Sequence, residues 1–422
     1  MIGALTVSSL TIAIKTLTKM TQLALPSSDR RASGAKPFAR VRVLTDLEEA
    51  SAAWSELAAV AAATPYQAMA FARAWLETLG KEEGASAHLI LAQDSEGRPA
   101  ALLPLCVPRG ALRKAAFIGG AHGNANLGLF REPHLWSGAD IADMLLPAGR
   151  GRVDLYALKT MPASWNGIDN PLAKLDVIDA PAPTFSTSLS DDFEKWFSRH
   201  TSKDARKKWR RKRQGLENAG PVAFLRAEDA AQAEAILQAF LAQRAERAKQ
   251  GLPNAYATPS AIAFLRRLAG LDAPTFAPTL RLYALRCGEV TAATFGALDQ
   301  GGHLSGVVTS FSRDPALARF SPGELLLHDV IADAFARARR SLDLGVGDGR
   351  YKREICETEI PLVEAYVPIT PAGAVAAKAE RWRSGAKRRL KANPRAMDIV
   401  RLVRGMLARR RSGAGIPPDG AI

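Results

Sequence analysis

The chain has 422 residues, 47% of them hydrophobic and 23% charged, and a formal net charge of +15. This is the composition of a soluble globular protein, with enough chain for two or three cored domains. Its three cysteines, Cys106, Cys287 and Cys356, lie far apart without C-x-x-C spacing. That excludes a disulfide framework and a zinc signature, and it fits a reducing, cytoplasmic setting.

Residues 1–25 contain an apolar run, Leu5 to Ile14, interrupted by Ser and Thr and followed by Lys15 and Lys19. The run is too short to span a bilayer, and its charges follow it where a signal peptide would place them first. Residues 1–37 are expected to be a disordered leader that ends in the linker PSSDRRASGAKP. No other stretch reaches the roughly 18 apolar residues of a spanning helix, so none is expected.

From Arg40 the pattern becomes structured. RVRVLT reads as a strand, and DLEEASAAWSELAAVAA as a helix capped by Asp46, with Leu47, Ala50, Trp54, Leu57 and Val60 at helical spacing. YQAMAFARAWLETLG reads as a second helix ending at Gly80. AHLILAQD and PAALLPLCVPRG, joined by SEGR, carry a hairpin signal. AAFIGGAHGNANLGLF is glycine-rich and suits the side of a cleft, and VDLYALKTM is a further strand.

A proline-rich joint, DAPAPTFSTSLS, leads into a strongly basic helix from Asp191. PVAFLRA then reads as a strand, and two helices follow. Three successive strands, TLRLYALRC, EVTAATFGALD and GHLSGVVTSFS, are joined by tight turns. A helix from Pro322 to Arg340 follows, with Ser321 as its expected cap. SLDLGVGDG and LVEAYVPIT supply the last strands. The second half thus runs β-α-α-β-β-β-α-β-β, and the first half has a similar order. The expected fold class is α/β (α+β), with two tandem units, each a mostly antiparallel mixed sheet flanked by helices. The units span residues 38–190 and 191–372, followed by a basic tail, 373–422.

This order, with an antiparallel meander feeding a helix, resembles the GNAT acyltransferase fold. RFSPGELLL after the third meander strand, LDLGVGDGRYKRE after the helix, and the basic helix SKDARKKWRRKRQGLENAG make the likeness narrower. Together they resemble the BioF2-like or CelD-type acetyltransferase group, itself similar to the two-unit FemAB peptidoglycan transferases. The likeness covers residues 40–369. It implies two GNAT-like units, the first degenerate and shaping an acceptor cleft, the second (191–372) holding the donor. The implied co-substrate is acetyl-CoA or another acyl-CoA, without a metal. The implied acceptor is an amine or hydroxyl of a sugar, exopolysaccharide or cell-envelope precursor. Many GNAT enzymes hold pyrophosphate with Arg/Gln-x-x-Gly-x-Gly/Ala. Here Arg319, Phe320, Ser321, Pro322 and Gly323 fit, but Glu324 and Leu325 follow, and an inward Glu324 would repel phosphate.

Acyl transfer needs a held thioester, an oxyanion site and a route for the acceptor proton. Backbone N–H groups from Val307, Val308 and Thr309 to Ser310 can polarise the thioester carbonyl. The helix start at Ser321 to Leu325 can take phosphate. In GDGRYK, Asp348, Tyr351 and Lys352 follow a strand. Tyr351 can protonate the departing thiolate, and Lys352 can pair with an anion. His303 at a strand start can act as base. His328 forms an i,i+4 pair with Glu324. His122, Asn124 and Asn126 are acceptor-binding candidates on the glycine-rich loop. No H-E-x-x-H, G-x-S-x-G or Walker motif is present, and GVGDG lacks the βαβ setting of a dinucleotide site.

The run RHTSKDARKKWRRKRQ can track a phosphate backbone. Its position between two units favours a solvated or substrate-facing helix over nucleic-acid binding. Residues 375–422 hold thirteen Lys/Arg and three Asp/Glu, a net of +10, or two thirds of the chain's excess. Trp382, Leu390, Met397, Ile399, Val400, Val403, Met406 and Leu407 lie among these cations, and Pro394 divides the segment into two helices. Such a tail suits peripheral contact with an anionic membrane at its inner face. Two rivals remain: a FemAB-like transferase using aminoacyl-tRNA, and a non-catalytic module on nucleic acid or membrane.

Overall fold

The structure is a computed structural model that describes residues 36–190, 192–249, 254–347 and 349–393. The expected leader therefore falls almost wholly outside the described residues, as does the tail beyond Asn393.

The first half of the chain runs β1 (Arg40–Leu44), α1 (Leu47–Ala58), α2 (Met69–Leu76), α3 (Leu79–Glu82), β2 (Ser86–Gln93), β3 (Pro99–Val107), β4 (Lys114–Phe117), β5 (Leu129–Phe130), α4 (Gly138–Gly149), β6 (Leu155–Pro162), β7 (Ser164–Trp165), β8 (Ile168–Asp169) and β9 (Val177–Asp179). The second half runs β10 (Thr184–Ser188), α5 (Phe193–His200), α6 (Lys203–Ala219), β11 (Val222–Arg226), α7 (Ala230–Lys249), α8 (Pro259–Leu268), β12 (Leu280–Cys287), β13 (Val290–Gln300), β14 (His303–Phe311), α9 (Pro315–Ala318), α10 (Pro322–Ala336), β15 (Ser341–Val346), α11 (Arg350–Ile355), β16 (Thr358–Ile360), β17 (Leu362–Pro368) and α12 (Pro371–Ala392).

Asp46 caps α1 through the amide of Glu48, as its position suggests. Two expected helices are instead broken. The segment from Tyr66 to Gly80 divides into a tight turn at Pro65–Gln67, then α2 and α3. Thr64 and Gln67 form a capping box there, which closes a short turn of its own. The basic helix expected from Asp191 divides at Thr201, because Ser202 is extended and caps α6 by accepting from Ala205 N. After β15, GDGRYK leads into α11, which starts at Arg350.

Two sheets result. One has the order β1-β2-β3-β4-β6-β17-β9, with β5 added on β3. The other has the order β11-β12-β13-β14-β15-β10-β16. Each contains an antiparallel meander ending in one parallel pair, β4 with β6 and β14 with β15. Both are mixed, mostly antiparallel sheets flanked by helices, as the sequence order implies.

The sheets also trade strands. β10 precedes residue 190, yet it lies between β15 and β16 of the second sheet. β17 precedes residue 372, yet it lies between β6 and β9 of the first. The expected boundaries at 190 and 372 thus cut across the exchange. Burial reinforces it: one core joins Trp54, Phe71 and Trp75 of the first half to Phe240, Phe264 and Leu282 of the second. Residues 373–392, assigned to the tail, belong to α12, which packs on β6 and β17. Gly373 makes this possible, because a Cβ there would sit 1.7 Å from the carbonyl oxygen of Asp154. Among the described residues, no helix is long and apolar enough to cross a membrane.

Candidate active site

The parallel pair β14–β15 is short. His303, Leu304 and Ser305 register with Ser341, Leu342 and Asp343, and pairing then stops. β15 turns toward β10, while β14 continues to Phe311 beside β13. The register of β14 slips between Gly306 and Val308, so Val307 forms a bulge. Beyond Ser305, one side of β14 has no strand partner among the described residues, and Val307, Val308 and Thr309 all lie on this open stretch. Gly345 enforces the fork. Its φ is +72°, and a Cβ would meet the Gly306 carbonyl at 3.1 Å and the Asn124 amide at 3.0 Å.

The first half reaches into this fork. Thr64 Oγ1 donates to the carbonyl of Ala125 (2.7 Å), clamping the Pro65–Gln67 turn to the glycine-rich loop. Tyr66 and Asn124 are thereby brought together. Asn124 Nδ2 donates to the Tyr66 hydroxyl oxygen (2.8 Å), and Ser305 Oγ donates to the same atom (3.0 Å). The two donors leave the phenol's own proton available to be given away. Burial, and next the negative charge of Asp343, push the phenol well above its ordinary pKa, so it stays protonated. Tyr66, Ser305 and Asp343 were not singled out from sequence. The one local signal was the Thr64–Gln67 spacing of a capping box, which marks a turn but not where it points.

His303 is buried, and both its ring nitrogens are engaged, with Ser341 Oγ (2.7 Å) and Asp343 Oδ2 (2.8 Å). Asp343 also accepts from Gly345 N (2.8 Å). The imidazole therefore ties β14 to β15, and neither nitrogen is left to take a proton from an acceptor. Trp165 packs its ring edge-on against it (5.0 Å). Lys352 is buried and donates to the carbonyls of Gly345 (2.9 Å) and Val346 (3.3 Å), holding the end of β15. Tyr351 is half exposed on α11. Asp348 lies outside the described residues.

On the glycine-rich loop, His122 packs against Phe264 and Tyr256 in the seam between the halves, and burial lowers its pKa. Asn126 Nδ2 is committed to Thr160 Oγ1 (2.7 Å) and the carbonyl of Lys159 (3.1 Å). Of the three residues, Asn124 alone reaches the fork.

The start of α10 corrects one expectation. Ser321 does not cap: its φ is +52° and its side chain makes no cap bond. The preceding α9 is the reason. Phe320 and Ser321 close its last turn through the carbonyls of Leu317 and Ala318, which forces the left-handed residue. The amides of Glu324 and Leu325 return to Ser321 O. Pro322 has none, so Gly323 alone in this turn offers an amide without a backbone partner. A Cβ at Gly323 would meet only Phe311, at 3.5 Å. Glu324 is drawn onto Lys212 of α6. His328, expected to pair with Glu324, packs instead among Phe193, Phe197 and Trp209. Arg319 stacks over Phe320 (4.6 Å).

Just past the end of β14 lies an open groove of about 450 Å³, lined by Ala242, Gln243, Glu246, Ser312, Arg313 and Asp314. The Arg247 guanidinium sits over the Phe311 ring (5.4 Å). Burial, and next the charges of Arg244 and Arg313, lower its pKa. The neighbouring carboxylates are occupied, Glu246 by Lys249 (2.9 Å) and Asp314 as the cap of α9. Three guanidiniums crowded at the open end of β14 favour an anion there.

Comparison with known proteins bears on the second half of the chain and on the fold. Residues 203–353 match the family model described as an acetyltransferase (GNAT) domain. The span takes in α6, the meander, the fork and α10, so the second half carries a GNAT acetyltransferase domain and the chain is an acyltransferase. No curated protein sequence matches the chain. Among solved structures, FemX is similar at a TM-score of 0.55 and 8% identity, covering 80% of this chain and 100% of that one. This likeness establishes the two-unit fold alone. A tandem GNAT protein from the clavulanic acid biosynthesis pathway aligns at a TM-score of 0.44 and 13% identity, over 79% of this chain and 99% of that one. L-PGS from Bacillus licheniformis aligns at 0.44 and 10%, over 72% and 93%.

Proposed function

We propose that this enzyme transfers an acyl group, acetyl in the simplest case, from coenzyme A to an amine or hydroxyl of a sugar or cell-envelope precursor. The observation that carries the donor assignment is the fork. Beyond Ser305 and Asp343 the strands part, and an extended pantetheine arm can bond to the open edge of β14. The thioester carbonyl then lies at the Val307 bulge, where backbone amides meet the developing oxyanion. The acceptor nitrogen or oxygen attacks the carbonyl carbon, the C–S bond breaks, and the thiolate leaves. Tyr66 is placed to protonate that thiolate, because its oxygen receives bonds from Asn124 and Ser305 and its own proton is left to give. The acceptor's proton passes to solvent or to the re-forming Tyr66. Donor phosphates reach the end of β14, between Gly323 and the arginines of the groove. The acceptor class follows from the sequence resemblance to the BioF2-like group.

The test is calorimetric titration of the protein with acetyl-CoA, alongside Gly323→Glu. The wild type should bind, and the variant should bind at least about tenfold more weakly, because the added carboxylate repels the phosphates, while the Cβ itself meets only Phe311, at 3.5 Å. Absence of binding by the wild type would reject the donor. Equal binding by both would move the phosphates elsewhere.

A second reading, an aminoacyl donor carried on RNA, has one observation in its favour. Lys203, Lys207, Lys208, Arg210 and Arg211 are exposed on α6. It predicts salt-sensitive RNA binding and no affinity for acetyl-CoA.

A further inference from the structure

The helix α12 has two opposite faces. Its inner face is committed to the first sheet. Gly373, Ala377 and Ser384 are buried, Glu380 bridges Lys114 (3.0 Å) and Lys159 (2.8 Å), Arg381 pairs with Asp176 (2.8 Å), and Arg388 pairs with Asp179. Val375, Ala379, Trp382, Ala386 and Leu390 recur at spacings of four, three, four and four, which places them on one stripe. This stripe lies opposite the buried face. All five are exposed, Val375 at 72% and Trp382 at 74%. Lys378 and Arg389 flank the stripe on one side, and Arg383 and Lys387 on the other, all exposed.

We propose that this outer face of α12 docks the enzyme on an anionic lipid surface, with Trp382 at the headgroup boundary and the flanking cations among lipid phosphates. A large exposed tryptophan on an otherwise well-packed helix marks an interaction surface. An apolar stripe bordered by cations on both sides is the pattern of a helix lying in a membrane interface. Charge selects the occupant. Residues 394–422 carry six Arg and two Asp, so this segment would bring like charge to a face already rimmed by cations. An anionic bilayer is complementary, at about 1 kcal/mol per cation near the surface. The inference rests on α12 alone and stands apart from the choice of acyl donor.

The experiment is co-sedimentation of the full chain with vesicles of phosphatidylcholine alone, and of phosphatidylcholine with phosphatidylglycerol. Two double variants are run beside it, Val375→Glu/Trp382→Glu and Arg383→Glu/Lys387→Glu. Binding should require phosphatidylglycerol, weaken as salt rises, and fall by about tenfold or more in each variant. Thermal unfolding and acetyl-CoA titration should be unchanged, since none of these side chains touches the sheet or the fork. Equal binding to both vesicle types would overturn the proposal. So would unchanged binding by both variants, which would assign lipid contact to residues beyond 393.

Discussion

The carboxylate of Glu324 is paired with the ammonium of Lys212, across the gap between α10 and α6. The pair decides what the start of α10 can hold. An unpaired carboxylate in a helix's first turn would repel a phosphate; held on Lys212, it is turned aside and neutralised. Lys212→Ala should therefore weaken acetyl-CoA binding several-fold, and Glu324→Gln added to it should restore most of the loss. A double-mutant cycle by calorimetry measures the coupling, and additive losses would argue against a shared role.

The arginines beside the groove make a prediction about salt. If Arg247 and Arg313 meet the donor's phosphates, Arg247→Ala or Arg313→Ala should raise the Kd for acetyl-CoA by about three- to tenfold. Each should also flatten the dependence of Kd on salt, because one fewer charge pair is screened. A weaker but equally salt-sensitive complex would show that the arginine acts through packing.

Tyr66→Phe removes a buried oxygen that receives bonds from Asn124 and Ser305. Leaving those two donors unpaired should cost about 1–3 kcal/mol of stability. If the hydroxyl also protonates the departing thiolate, kcat should fall by about tenfold or more with KM little altered. A loss confined to KM or to stability would make Tyr66 a strut between the sheets.

Stability should depend on pH in a window set by buried histidines. His88, bonded to Tyr156 (3.0 Å), is held by burial at a pKa of about 4, and burial likewise holds His328 at about 4. Unfolding returns both to the ordinary value near 6.5. Between these values the unfolded chain binds more protons, so stability is full above about pH 6.5 and falls as pH drops toward 4. His88→Gln should remove on the order of 1–3 kcal/mol of that slope. Below about pH 4 the ordinary carboxylate linkage takes over. Asp154 with Arg113, and Glu380 with two lysines, are held near 2, and their contribution is lost as they protonate. Denaturant titrations from pH 8 to 2 resolve the two phases.

Much of the fold was legible because it depends on local order. Asp46 before an apolar periodic run makes α1, and three alternating segments with tight turns make the β12–β14 meander. Helix breaks were less legible, since Thr64–Gln67 and Ser202 compete with longer patterns only once their side chains find backbone amides. Of the sequence candidates, Val307 to Ser310 and Asn124 border the fork, and Gly323 at the α10 start lies against Phe311 at the end of β14. It did not reach Tyr66, whose value comes from Ser305, 239 residues away. It also read His303 as a strand-end base, because nothing local reveals that Asp343 and Ser341 occupy both its nitrogens.

Sequence by itself determined the two α/β units, the meander feeding a helix and the basic character of the C-terminal segment. These follow from periodicity, turn chemistry and charge, which act over a few residues. Only the tertiary structure decided that β10 and β17 trade sheets, that β14 and β15 part at Gly345, that Tyr66 enters the fork, and that Glu324 turns to Lys212. Each depends on strands and side chains distant in the chain meeting in a shared core, where burial and hydrogen bonding select one partner among many.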